Sequence, residues 1–185
     1  MKPPSKFKSF VQHLSHDYLD EEDEQRGYDL MLESLPLVGM VVMHFNMLEK
    51  MVDSHICEVM SDRSDSIGLL VILGMQYASK VELFRRFCDE FHQRIPGGAP
   101  QEYEGLIDSL TEVARLRNLV VHADWANTDS QGYTYTRLKL SKGEMRQEYV
   151  QLVPESLEAI IEQISQAQVA IDQYLGRRSD LIQGM

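Results

Sequence analysis

Between Leu37 and Val59 the apolar residues Leu37, Val41, Phe45, Leu48, Val52, Ile56 and Val59 follow one another at steps of three and four. That spacing is one face of an α-helix, and it rules out an alternating strand over the same stretch. A second stripe, Met40, Met43, Met47 and Met51, runs beside it. A helix that is apolar on two sides has to bury both. One side covers the domain core. The methionine side is either core filling or a face for a partner subunit.

The same period recurs downstream. Ile67, Leu70, Val71, Met75, Ala78, Val81, Phe84, Cys88 and Phe91 predict a helix over 67–93, ended by the breaker Pro96-Gly97-Gly98-Ala99-Pro100. Leu106, Leu110, Val113 and Val121 predict one over 101–123. Leu157, Ile160, Ile161, Ile164, Ile171 and Leu175 predict a last helix that Pro154 opens and Gly176 caps. The first helix is expected within 25–61, with Pro36 bending or dividing it. A polar turn at 61–66 separates it from the second, with Asp65 or Ser66 as N-cap. After the third helix a loop is expected from Asp124 to Gly132. Residues 133–140 and 146–152 are β-branched and aromatic and flank Lys142-Gly143, which predicts a small hairpin. The fold class is therefore mainly α: a helical bundle of four or more helices with a small β-hairpin before the last helix.

Charge divides the ends from this body. Residues 1–24 read as a flexible charged arm, with Lys2, Lys6 and Lys8 followed by the run Asp20-Glu21-Glu22-Asp23-Glu24. Such a run is a solvated segment, or it favours the start of a helix. The domain is expected over 25–176 and a fraying tail over 177–185. A length of 185 residues with 43% hydrophobic residues suits one domain with a real core. The net charge of −11 argues against a broad non-specific nucleic-acid footprint, though not against a small basic site. Cys57 and Cys88 lie in helical segments without metal-type neighbours and read as packed, reduced thiols. The start Met1-Lys2-Pro3-Pro4 has no apolar signal region, and the apolar stretches look shorter than the roughly 20 residues that span a bilayer. A cytoplasmic setting and no membrane partner are the expectation.

One position does not fit a plain folding account. Continuing the third stripe from Leu106 through Leu110 and Val113 leads to Arg117. An arginine on a core-facing stripe is costly unless it is paired or opens to a cleft. Asn118 is adjacent, and His122 lies four residues beyond it, on the same face one turn on. Arg117 and His122 are separated by about 7.5 Å of helix rise and differ in direction by roughly 140°. A long arginine side chain, or a loosened last turn, brings the two heads to one patch where Ala123-Asp124-Trp125 begins.

The string Arg117-Asn118-Leu119-Val120-Val121-His122 resembles the R-N-x-x-x-H motif of the HEPN superfamily. Long helices, a motif late in an internal helix and a further helix behind it resemble the family's layout as well. So does the segment from Phe45 to Val52, with Leu48-Glu49 as its apolar-Glu pair, and the likeness covers roughly residues 36 to 175. Ala123 departs from the pattern, since many relatives have glycine after the histidine.

The resemblance implies cleavage of RNA without metal or other cofactor. RNA carries its own nucleophile, the 2′-hydroxyl. A neutral imidazole such as that of His122 can take its proton at cellular pH. The reaction builds negative charge on a five-coordinate phosphate, which the guanidinium of Arg117 can hold through two parallel hydrogen bonds. Asn118 orients the histidine or a phosphate oxygen. The products are a 2′,3′-cyclic phosphate and a 5′-hydroxyl. One histidine does not easily act as both base and acid, and the resemblance implies a homodimer in which two motifs face each other. It also implies a toxin or defence effector, with an antitoxin as a protein partner.

Other readings of the same residues stay open. Arg117 can form a structural ion pair with Glu49 or Asp124, and His122 can be a helix-end histidine favoured by the helix dipole. Trp125 can be a core plug under the loop as well as a base-stacking platform. Arg115 reads as a solvated residue, and Lys80, Arg85 and Arg86 as a solvated face or as flanks of an RNA path. His13, His16, His44, His55 and His92 have no trustworthy metal spacing. Neither a phosphate-cradling glycine loop nor a Ser or Cys nucleophile arrangement is visible. A non-catalytic helical scaffold that binds protein through the methionine face is the competing function.

Overall fold

The computed structural model describes residues 7–10, 21–61, 63–141 and 143–183. Within these the chain forms β1 (Phe7–Phe10), α1 (Glu21–Met60), α2 (Ser66–Ile72), α3 (Tyr77–His92), α4 (Tyr103–Val121), β2 (Asp124–Thr128), β3 (Tyr133–Ser141), β4 (Glu144–Gln151) and α5 (Pro154–Gln183). The fold is mainly helical, with a small antiparallel sheet before the last helix, as expected. The structure divides into two compact units. One comprises residues 1–43 and 116–162, the other residues 44–115 and 163–185. The chains of α1, α4 and α5 contribute to both.

In the second unit the long stripe of α1 is buried as its spacing requires: Phe45, Leu48, Val52 and Ile56. The second helix of the sequence reading is two. Leu73 leaves helical geometry and Gly74 takes φ +76, a left-handed conformation that ends α2. Helix α3 restarts after an extended Gln76. Its buried face is Lys80, Val81, Phe84, Cys88 and His92, while Ile67, Leu70 and Val71 of α2 are exposed rather than core. Cys57 and Cys88 are free and buried, and burial pushes both thiols up, Cys88 to about 11. Gly176 does not cap the helix and the tail expected to fray from Arg177 stays helical through Gln183. Arg177 pairs with Glu102 at 2.6 Å and Arg178 lies over the ring of Phe91 at 4.9 Å.

The first unit holds the sheet, in the order β1-β4-β3-β2. The expected hairpin is β3–β4, with Tyr133 opposite Gln151 and Ser141 opposite Glu144. The segment expected as a loop contains β2, which pairs with β3 through Asp124 opposite Tyr135 and Thr128 opposite Thr134. A side-chain turn makes this possible: Asp129 Oδ1 accepts from the N–H groups of Gln131 and Tyr133, each at 2.9 Å. The hydroxyls of Thr128 and Thr134 then meet at 3.0 Å inside. Helix α1 comes so close at Gly27 that a Cβ there would lie 2.4 Å from the Thr128 carbonyl oxygen.

The expected arm is partly built into this unit. Residues 7–10 pair with β4, and Glu21, Glu22, Asp23 and Glu24 form the first turn of α1, where negative charge suits the helix dipole. Lys2, Lys6, Asp20, His13, His16 and Lys142 lie outside the described residues. Pro36 does not divide α1, which runs unbroken from Glu21 to Met60. The carbonyl it leaves without a donor belongs to Leu32, on an exposed face where water can reach it. Met40, Met43 and Met47 are exposed, Met43 by 67%, so they are not core filling. The apolar length of α1 is also greater than the sequence reading allowed. It contains an 18-residue window of mean hydropathy 1.4, long and apolar enough to cross a membrane by length and composition, of which 17% is buried.

Candidate functional site

The helix that carries the motif does not keep the stripe extrapolated from its first half. Its buried residues are Tyr103, Leu106, Ile107, Leu110, Val113, Leu116 and Val120, so the core line passes through Leu116 and leaves Arg117 at its margin. A period of 3.6 makes such drift unavoidable over 19 residues. Arg117 is half-buried and Asn118 is exposed. The Arg117 guanidinium donates through Nη1 to Asn118 Oδ1 at 3.0 Å. The adjacent pair of the motif is thus joined directly.

Helix α4 ends at Val121, one residue before the histidine. The N–H of His122 still donates to the carbonyl of Asn118 at 3.1 Å, so the last backbone turn ties the two residues together. The imidazole is carried by the turn and exposed to solvent. Its direction is therefore set by the chain reversal rather than by helix phase.

Trp125 sets that reversal. Its indole N–H donates to the carbonyl of Val120 at 3.0 Å, satisfying one of the acceptors that a helix C-terminus leaves open. The half-buried ring lies at the start of β2. This is a structural use of tryptophan, closer to the plug than to the stacking platform. Asp124 is exposed and opposite Tyr135 in the sheet.

Glu49 belongs to another constellation. Lys80 Nζ lies 2.7 Å from Glu49 Oε1 and 3.0 Å from Asp53, and the lysine is 8% exposed. Hydrogen bonds and charge from the two acids hold its pKa above the usual lysine value against the opposing effect of burial. The sequence reading placed Lys80 on a solvated face or an RNA path. Glu49 and Asp53, four apart on α1, were the overlooked signal, because they present two carboxylates on one face of a helix. Arg85 and Arg86 make surface pairs within α3 or with Glu104. Arg115 is likewise on the surface, bonded twice to Glu112.

Two histidines are structural. His55 is 1% exposed, and burial, with a smaller contribution from Arg178, pulls its pKa down to about 4. His92 is buried, with Nε2 3.0 Å from the Tyr174 hydroxyl. Among the described residues no three His, Cys, Asp or Glu side chains gather as a metal site.

No family model matches the chain, and no curated protein or solved structure matches it.

Proposed function

We propose that the chain is a metal-independent endoribonuclease of HEPN type, with His122 as the base toward the 2′-hydroxyl and Arg117 as the cation that holds the phosphate. The observation that carries the reading is the joined Arg117–Asn118 pair with a solvent-exposed His122 tied to it through one backbone turn. Asn118 Oδ1 accepts from the guanidinium at one nitrogen and so fixes the plane of a fork whose geometry suits a phosphate. The exposed imidazole is open to substrate. A second copy would supply the general acid, and the exposed methionines of α1 are the face offered for it. The setting is cytoplasmic in this reading, and the role a toxin or defence effector.

Purified protein incubated with total cellular RNA in excess EDTA tests it. Wild type is expected to leave 2′,3′-cyclic phosphate ends, and His122→Ala and Arg117→Ala to leave the RNA intact. Equal cleavage by wild type and His122→Ala, or none by wild type, removes the reading.

A second reading, a non-catalytic scaffold or toxin–antitoxin component, is favoured by the apolar surface. Leu70, Leu73 and Met43 are the most exposed of the large hydrophobic side chains other than Leu140, which marks them for a protein partner. Stable co-purification of one partner with an RNA-inert protein supports that reading over the first.

A further inference from the structure

The hairpin of β3 and β4 differs in charge from the rest of the chain. Between Tyr133 and Gln151 it contains Arg137, Lys139, Lys142 and Arg146 against two acids, Glu144 and Glu148, in a chain whose net charge is −11. The register sets Lys139 directly opposite Arg146 and Arg137 opposite Glu148. Like charges directly opposite weaken strand pairing, so folding alone gives no reason for the Lys139–Arg146 pair. Their compensation is partial. Glu148 lies 2.6 Å from Arg137 Nε and 3.3 Å from Lys139 Nζ, and Arg146 reaches Glu144 at 3.1 Å. All three cations are exposed, and surface pairs of this kind contribute little and exchange readily for another anion.

Strand geometry keeps this basic face separate. Side chains alternate across a sheet, so Leu138, Leu140 and Met145 take the opposite side from Arg137, Lys139 and Arg146. The pairing also ties the hairpin to the candidate site. Strand β2 begins at Asp124, two residues after His122, and Asp124 is opposite Tyr135. From that point β3 runs outward through Arg137 and Lys139. The register shifts between Tyr135 and Arg137, so the cations share the face of Glu148, on the strand paired with β2 but on the opposite side of the sheet from Tyr135 and Asp124.

We propose that Arg137, Lys139 and Arg146 form a binding track for the phosphates of single-stranded RNA. The track rests on the ribonuclease reading for its purpose but not for its existence, and binding separates the two. The occupant follows from charge: a row of exposed cations in an acidic protein selects a polyanion, and repulsion from the remaining surface confines it to that row.

The test is fluorescence anisotropy of a short fluorescein-labelled single-stranded RNA of mixed sequence with the full chain carrying His122→Ala, so that the probe stays whole. The same protein with Arg137→Ala, Lys139→Ala and Arg146→Ala added is the comparison, after its urea midpoint has been shown unchanged. Loss of the three cations is expected to weaken binding at least about tenfold and to lower the slope of log K against log salt by about 2, at about 0.7 per phosphate contact. Equal affinity of the two proteins overturns the track, as does the absence of RNA binding by the His122→Ala chain. Binding that depends on the hairpin, together with wild-type protein that does not cleave, upholds the track and removes the ribonuclease reading.

Discussion

The indole N–H of Trp125 donates to the carbonyl oxygen of Val120 across 3.0 Å, closing the end of α4 around the turn that carries His122. The bond links a helix terminus to the first residues of a strand, and the histidine lies between its two ends. Trp125→Phe keeps most of the ring and removes the donor. The expected result is a loss of about 1 kcal/mol in urea denaturation. If the protein is the proposed ribonuclease, the same change is expected to lower the rate in the RNA assay without abolishing it, because displacing its base by a fraction of an ångström is enough to slow the reaction. A rate equal to wild type separates the turn from the chemistry.

Arg117 is expected to resist conservative replacement. Lysine keeps the charge but has no planar fork, so it cannot bond Asn118 and grip a phosphate with the same geometry. Arg117→Lys should lose about 10²-fold or more in kcat, the usual scale for removing one donor to a transition-state oxyanion, with KM changed less. Single-turnover kinetics measure the split. Near-wild-type kcat for the lysine variant contradicts the assigned role.

Glu49 is expected to act through stability alone. It and Asp53 face a largely buried Lys80, and removing the lysine leaves two carboxylates crowded together. Lys80→Met should cost about 2–3 kcal/mol, below the fully buried range because both acids keep some contact with water. Adding Glu49→Leu and Asp53→Leu should recover most of it, since a well-packed apolar replacement of an ion triad is often neutral. Chemical denaturation of the single and triple variants gives the comparison. Glu49→Gln should leave the RNA cleavage rate of the folded protein unchanged.

Acid should weaken the fold through His55. Its folded pKa is about 4, lowered first by burial and then by Arg178, against 6.5 for a free imidazole. Between those values the unfolded chain binds a proton that the folded chain does not, so stability falls as pH drops from about 6.5 to 4. The gap corresponds to about 3 kcal/mol. Thermal unfolding of wild type and His55→Leu across that range checks it. The variant should show a shallower loss between pH 6.5 and 4, and parallel curves for the two proteins would refute the assignment.

Much of the helical layout was legible because burial leaves a periodic trace. The spacing of Phe45, Leu48, Val52 and Ile56 is the core line of α1, and Pro154 opens α5 as a first-turn proline should. The errors came where periodicity carries no information. The stripe from Ile67 to Phe91 reads through Gly74, although a single left-handed residue is enough to end one helix and start another. Strand β2 was hidden because Asp124 to Thr128 has weak strand character, and its pairing is set by the Asp129 turn. At the site, the motif residues were visible as a string, but their geometry was not. Extrapolated helix phase placed Arg117 in the core line and His122 inside the helix, whereas Leu116 takes the core position and the helix ends at Val121. The Lys80 triad lay hidden for a related reason: a charged residue is buried when two distant acids converge on it, and convergence is a property of the fold.

Strand β1 has a consequence for how the protein is made. Phe7 is aligned with Val150, so the edge of the sheet joins residues from opposite ends of the sequence. A ribosome adding roughly 5–20 residues per second takes on the order of ten seconds to deliver the second after the first. Throughout that interval the early segment has no register to adopt, and a chaperone has its best chance to hold it. Completion of the sheet is thus among the last events of biogenesis, and the hairpin must emerge before its outer neighbour can dock.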